Sequence, residues 1–387
     1  MRRVYADHAA TTPVHPRVVE AMVAAMQAEI GNPSSVHGFG RTARRLVEEA
    51  RARVAALIGA SPQEIFFTSG GTEADNWALR GTLMANRARG KHLVVSAIEH
   101  HAVLDCAAAL EREGWEVTYL PVDSVGRVRE EDLLAALRPD TVLVSIMHTN
   151  NEVGTVQDIP RLCALVKERD PNIVFHTDAV QAAGILPLDV KALGVDLLTI
   201  SAHKIYGPKG VGALYVRHGF RFAPVLFGGG QERKMRPGTE NLPGIVGFGV
   251  AAEIAREELP RRAEHARRLR DRFLRGVLER IPGVRVSGPN PLEGTVPCHP
   301  GIANIAVQGV ESEALLLALD LQGVAASAGS ACTAGSLEPS HVIRALGLPP
   351  DYAAGAMRFS FGEANTDEDI DYLLEVLPQA VAQVRGV

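Results

Sequence analysis

Short apolar runs rich in β-branched residues alternate along this chain with longer stretches in which apolar positions recur every three or four residues. The first pattern predicts strands and the second amphipathic helices. Strands are expected at 64–68, 92–96, 116–120, 141–147, 173–177, 197–200 and 211–216. Between them the helical pattern covers 42–57, a segment through Asn76, Trp77 and Leu79, then 102–113, about 130–137, 159–168 and about 243–258. Another helix follows Pro16 toward Gly31, since proline suits a first turn; the polar, glycine-rich stretch 32–40 reads as a loop. Repeated alternation of strand and helix predicts an α/β architecture.

Beyond Pro282 the pattern shifts to shorter strands at 284–287 and 302–307, a Leu-rich helix at 312–321, an alternating strand at 357–362 and a last amphipathic helix at about 367–384. The chain has 387 residues, more than the roughly 250–300 at which one core stops growing. Two domains are therefore expected: a large one over 16–257, and a smaller one over 258–387 completed by 1–15. The segment 261–280 mixes arginines and glutamates with Leu269, Phe273 and Val277. It predicts a solvent-facing helix linking the domains, a partner surface being the alternative. The arginines of 42–57 likewise read as a solvated face.

A formal charge of -5 argues against nucleic acid as the main partner. The N-terminus lacks an apolar signal core and no stretch nears the roughly 18 apolar residues of a membrane span, so no membrane association and a cytoplasmic location are expected. Cysteines 106, 163, 298 and 332 form no Cys-x-x-Cys pair, which speaks against structural zinc and against a disulfide framework. Cys106 and Cys163 fall in helical segments and read as small buried packing residues. Cys332 differs: the residues around it, 327–336, are all small and cannot anchor a core. An exposed thiol on a flexible tether asks for a reactive role.

Candidate chemistry gathers at expected strand ends. Lys204, in Ser201-Ala202-His203-Lys204, falls just past the strand at 197–200, and Asp178 just past that at 173–177; open α/β sheets place ligands there. Lys204 is either a surface lysine before an ordinary turn or, with Asp178, half of a pair suited to pyridoxal phosphate. That cofactor's aldehyde needs an amine, and its ring nitrogen needs an anion. Ser69-Gly70-Gly71-Thr72-Glu73 outlines a phosphate cup at a helix start, or else a tight turn with a threonine cap. His100 and His101 lack the further ligands zinc would want; the open readings are a ring stacked on a cofactor and a helix-entry histidine. Asn150 and Asn151 either bond a ligand or form an Asx-rich turn. The glycine-rich, charged segment 228–241 reads as a long functional or mobile loop that serves a subunit interface. Arg358 either grips a carboxylate with two parallel hydrogen bonds or forms a surface ion pair.

Together, 201–204, the segment 327–335 with Cys332, and Arg236-Pro237-Gly238-Thr239-Glu240-Asn241 resemble the cysteine desulfurases, the NifS/IscS-like branch of fold-type I pyridoxal-phosphate enzymes. The likeness runs from Tyr5 to Leu377 and includes 7–13, 31–40, 68–76, 150–154 and 337–341. It implies a large domain with a mainly parallel mixed sheet sandwiched by helices, plus a smaller α+β domain. It assigns Lys204 to the Schiff base, Asp178 to the pyridinium nitrogen and His100 to stacking on the ring. Gly71, Thr72, Ser201 and His203 would stand at the phosphate, with Thr239 reaching the phosphate of the other subunit of a homodimer. Asn151 and Gln181 would meet the ring's phenolic oxygen, and Arg358 with Asn151 the substrate carboxylate. The implied activity converts L-cysteine to L-alanine: Lys204 moves the Cα proton and Cys332, its thiolate supplied by the setting of its loop or by a nearby base such as His100, takes the sulfur as a persulfide. An acceptor protein such as an iron–sulfur scaffold would receive that sulfur.

Three features depart from the family pattern. Gly71 stands where many members have alanine, His101 replaces a frequent lysine, and the sequence ends at Val387 without the C-terminal extension by which housekeeping members contact a scaffold. Rival readings are a selenocysteine lyase, an aminotransferase of the same fold with no use for Cys332, and a non-enzymatic sulfur carrier.

Overall fold

The computed structural model describes residues 2–28, 31–329 and 339–386; Cys332 lies outside the described residues. In chain order the strands are β1 Val4–Tyr5, β2 Ile65–Thr68, β3 His92–Ser96, β4 Glu116–Leu120, β5 Thr141–Ser145, β6 Val174–Asp178, β7 Leu197–Ser201, β8 Gly212–Val216, β9 Val284–Val286, β10 Ile302–Val307, β11 Val324–Ala325 and β12 Ala356–Ser360. Seven of them form one sheet in the order β2-β8-β7-β6-β5-β3-β4. β3 to β7 pair in parallel, and β8 pairs antiparallel with both β7 and β2. The mainly parallel mixed sheet expected of the family is present.

Side chains on a strand alternate between faces, and here both faces are covered. Leu143, Val174 and Leu197 pack with Trp77 and Leu79 of the helix Gly71–Ala85 and with Val103 and Leu110 of the helix His101–Arg112. Their neighbours Val144, Phe175 and Leu198 face the other way, onto Val47 and Val54 of the helix Gly38–Leu57 and Phe248 and Ile254 of the helix Leu242–Arg280. Burial on both sides explains why these strands read as continuous apolar runs. A second core, with Val4, Phe273, Ile305, Leu319, Phe359 and Leu373, surrounds the antiparallel sheet β12-β10-β9. β1 lies parallel to β11 beside it.

Several expectations change. The helices expected at 243–258 and 261–280 are one 39-residue helix, Leu242–Arg280, running through Pro260. Proline removes the hydrogen bond to the carbonyl four residues back, but Arg256 and Pro260 are both exposed, so that carbonyl is placed toward solvent. The solvated-face reading fails for three arginines. Arg51 forms a buried ion pair with Glu232 at 2.8 Å, Arg262 pairs with Glu363 at 3.1 Å, and Arg270 donates to the His299 carbonyl at 2.7 Å. A guanidinium can be buried when such acceptors meet its fixed fork of donors. The helix expected from 42 begins at Gly38, where the His37 ring caps it by accepting from the Gly40 N–H. β12 is buried throughout: Met357 and Phe359 enter the second core, while Arg358 turns toward the main sheet.

Candidate active site

The ends of β3, β5, β6 and β7, together with the turn after β2, open on one cavity of about 240 Å³. Residues following β3 contribute His100, those following β5 Met147 and Asn151, those ending or following β6 Asp178 and Gln181, and those ending or following β7 Ser201, His203 and Lys204. Gly71, Thr72 and Asp75 come from the start of the helix after β2, Arg358 from β12, and Ala9 and Ala10 from the N-terminal segment. Asp178 and Lys204 are thus delivered by neighbouring parallel strands, as the sequence led one to expect. Thr239 is not brought here; it lines a second cavity of about 210 Å³ with Thr68, Ser69 and Gly210.

Lys204 closes a single turn after β7, and its ammonium donates to the carbonyls of Ala9 and, at 2.7 Å, Ala10. Opposite it, Asp178 Oδ1 accepts the Val180 N–H at 2.8 Å. Burial raises the Asp178 carboxyl to about 6, against the lowering effects of that N–H and of Lys204. The turn before the helix Gly71–Ala85 crosses β8 so closely that a Cβ on Gly212 would stand 2.7 Å from the Gly70 backbone. That approach requires glycine and leaves the helix's first N–H groups, which have no intrahelical acceptor, at the cavity beside Thr72. Such a helix start favours a phosphate.

The helix-entry reading holds for His100, whose ring also reaches the cavity. It caps the helix His101–Arg112 by accepting the Ala102 N–H on Nδ1 at 3.1 Å, and it lines the cavity. With Nδ1 accepting, the ring proton belongs on Nε2. Burial and then the Lys204 charge lower its pKa to about 4, so it is a neutral N–H donor at pH 7. His203, whose Nδ1 lies 3.1 Å from Thr11 Oγ1, is lowered to about 4 mainly by burial. Asn150 takes the Asx-turn role, its Oδ1 accepting the N–H groups of Glu152 and Val153, while Asn151 lines the cavity. Gln181 donates to the Ala9 carbonyl at 2.9 Å.

Arg358 is not the surface ion pair offered as its plain alternative. Its side chain is 1% exposed and paired with Asp7 at 2.8 Å, and it also donates to the Asn151 carbonyl at 2.9 Å. Sequence reasoning missed Asp7 and two buried acids, Asp75 and Glu99. Asp75 had left a signal: a carboxylate among Ala74, Trp77 and Ala78 on the packed side of a helix. Cys106 and Cys163 are buried, as expected.

These groups answer each part of pyridoxal phosphate: an amine for its aldehyde, an anion for its ring nitrogen, and a helix start with hydroxyls for its phosphate. The aminotransferase class-V family pattern matches residues 4–373. A cysteine desulfurase IscS of Dictyoglomus turgidum is 50% identical over 386 residues, covering 100% of this chain and 96% of the relative. One from Clostridium botulinum is 48% identical over 384 residues, 99% of this chain and 96% of the relative. A solved NifS-like protein aligns with a TM-score of 0.92 at 39% identity, covering 99% of this chain and 100% of its own. With kinship along its whole length and a pocket that fits the cofactor, the chain belongs to the class-V aminotransferase family, among its pyridoxal-phosphate-dependent cysteine desulfurases.

Proposed function

We propose that this cavity desulfurates L-cysteine, releasing L-alanine and leaving the sulfur on Cys332 as a persulfide. The observation that carries the reading is the meeting of Lys204, Asp178 and Arg358 in one cavity. Bound there through Lys204, pyridoxal phosphate supplies an electron sink next to the substrate's Cα. The Asp178 carboxylate holds the proton of the ring nitrogen by its charge. Gly71 and Thr72, with Ser201 and His203, would hold the phosphate; Asn151 and Gln181 would orient the ring; and His100 would stack against it.

Arg358 offers its guanidinium to the substrate carboxylate beside Asn151. Lys204 Nζ takes the Cα proton and returns a proton to the product, a role an amine at this position can fill. The Cys332 thiolate attacks the substrate sulfur: an S–S bond forms, the C–S bond breaks with its electron pair left on carbon, and that carbon gains a proton to become the alanine methyl group. His100, a neutral donor on Nε2, is placed to give a proton rather than to take one from the thiol.

Thr239 reaches the phosphate of a second copy, so the working unit is a homodimer. Val36, Phe39 and Phe227 are exposed apolar side chains that a second copy would remove from water. The acceptor of the sulfur is a second protein, an iron–sulfur scaffold by analogy with the IscS relatives. Location in the cytoplasm, and the division into domains 16–257 and 1–15 with 258–387, belong to the same proposal.

The test is incubation of wild type and Cys332→Ala with L-cysteine, following alanine and the mass of the peptide carrying residue 332. Alanine and a one-sulfur gain on that peptide, both lost in the variant, are expected. No alanine from protein holding cofactor on Lys204 would sink the reading. Sedimentation as a monomer at working concentration would remove the homodimer.

A further inference from the structure

Beneath the cavity a polar strip crosses the main sheet on the face covered by the helix Gly71–Ala85. Ser145 of β5 is in register with His176 of β6, and Asp178 of β6 with Thr199 of β7. Strand alternation puts all four on the side of Leu143, Val174 and Leu197. Asp75, from the helix, lies on top of them; it is 1% exposed and lines the cavity with Asp178.

Hydrogen bonds run along the strip from Ser145 through His176 to Thr199. His176 Nδ1 is 2.8 Å from Ser145 Oγ, and its Nε2 is 3.1 Å from Thr199 Oγ1. The Thr199 hydroxyl lies beside Asp75, whose Oδ1 has no hydrogen-bond partner among the described residues. His176 Nε2 also stands 3.7 Å from Asp75 Oδ1, but that contact is no ion pair. Burial lowers the imidazole to about 3 and keeps it neutral.

Among the described residues, the other ionisable groups around Asp75 give it no counter-charge. Asp178 and Glu99 are both buried acids whose charge opposes its own, and Cys106, on the adjoining helix, is a thiol raised to about 11, chiefly by burial. Asp178 is better provided for, with the Val180 N–H and the attraction of Lys204. A single negative charge shared between two buried acids settles where it is solvated.

We propose that Asp75 is a positioning residue that holds the proton of a buried Asp75–Asp178 pair, leaving the negative charge on Asp178 beneath the cofactor's ring nitrogen. The proton also fixes the direction of the strip. Asp75 donates to Thr199, Thr199 donates to His176 Nε2, and His176 carries its hydrogen on Nδ1, toward Ser145. An ionised Asp75 would reverse every step, because it would have to accept from Thr199. Burial pushes the Asp75 carboxyl well above the ordinary carboxylate range, in keeping with this arrangement.

The proposal rests on the cofactor reading of the cavity, which the visible absorbance of lysine-bound cofactor in the wild-type holoenzyme tests by itself. Infrared spectra of holoenzyme labelled with 13C-aspartate test the proton, since the label excludes Glu99. At neutral pH a label-shifted protonated-carboxyl band is expected in wild type and should be lost in Asp75→Asn. Thr199→Val should shift the same band to higher frequency. Nitrogen NMR of 15N-histidine holoenzyme should report His176 as the Nδ1–H tautomer. Absence of the band, its survival in Asp75→Asn, its indifference to Thr199→Val, or an Nε2–H tautomer at His176 would each overturn the assignment.

Discussion

Arg358 shows how a single residue type can be read correctly and its setting missed. An arginine in a late strand suggested a carboxylate ligand, but nothing nearby in sequence pointed to Asp7, 351 positions away, which meets it at 2.8 Å. Asp7 also accepts from Ser327 Oγ at 2.9 Å, so the carboxylate ties the start of the chain to the residues leading toward Cys332. Asp7→Ala would leave a buried guanidinium without its anion, a loss of about 3–5 kcal/mol. Asp7→Asn, which keeps an acceptor, should lose less. The urea midpoints of the two variants measure this; a midpoint for Asp7→Ala equal to wild type would show that the pair contributes nothing. Lys204 and Asp178 were legible because each follows a recognisable strand. Asp75 was not, because a buried acid inside a helix looks like any surface acid until the helix is docked.

At the scale of elements, the strands of the main sheet were the easiest to place, their apolar runs being bounded by polar turns. Helix ends were harder: the long helix Leu242–Arg280 reads as two because of Pro260, and only its packing shows it to be one. It lies against the helix Gly38–Leu57, and at Gly249 the approach is so close that a Cβ would stand 2.7 Å from both Cα and Cβ of Ala50. In an exposed helix Gly→Ala gains about 1 kcal/mol. Here overpacking against backbone costs about 1–3 kcal/mol, and it prevails because the Ala50 Cα cannot rotate away. Gly249→Ala should therefore lower the thermal midpoint with helix content unchanged by circular dichroism. A raised midpoint would mean that the two helices can part without loss.

Across the whole molecule, burial creates a pH dependence that no single residue reveals. Burial lowers His8, His100, His148 and His203 to about 4 and His176 and His299 to about 3, from 6.5. Between 6.5 and those values the unfolded chain binds protons that the folded chain refuses, so these six reduce stability as pH falls. Asp75, Glu99 and Asp178 are raised by burial, Asp178 to about 6. The folded chain keeps their protons where the unfolded chain is ionised, so they oppose the trend. Six against three leaves about three protons, or about 4 kcal/mol lost per pH unit below about 6. Urea midpoints of the cofactor-free protein at pH 7 and pH 5 test the sign; equal or higher stability at pH 5 would refute it. The sequence by itself determined the alternation of strand and helix, the strand ends that carry Lys204 and Asp178, and the family, because each depends on local pattern or on motif. Only the tertiary structure decided that Arg51, Arg262 and Arg270 are buried, that Asp7 holds Arg358, and that Asp75 overlies Asp178. Those are meetings of residues distant in the chain, and burial and charge at such meetings are set by packing rather than by the order of residues.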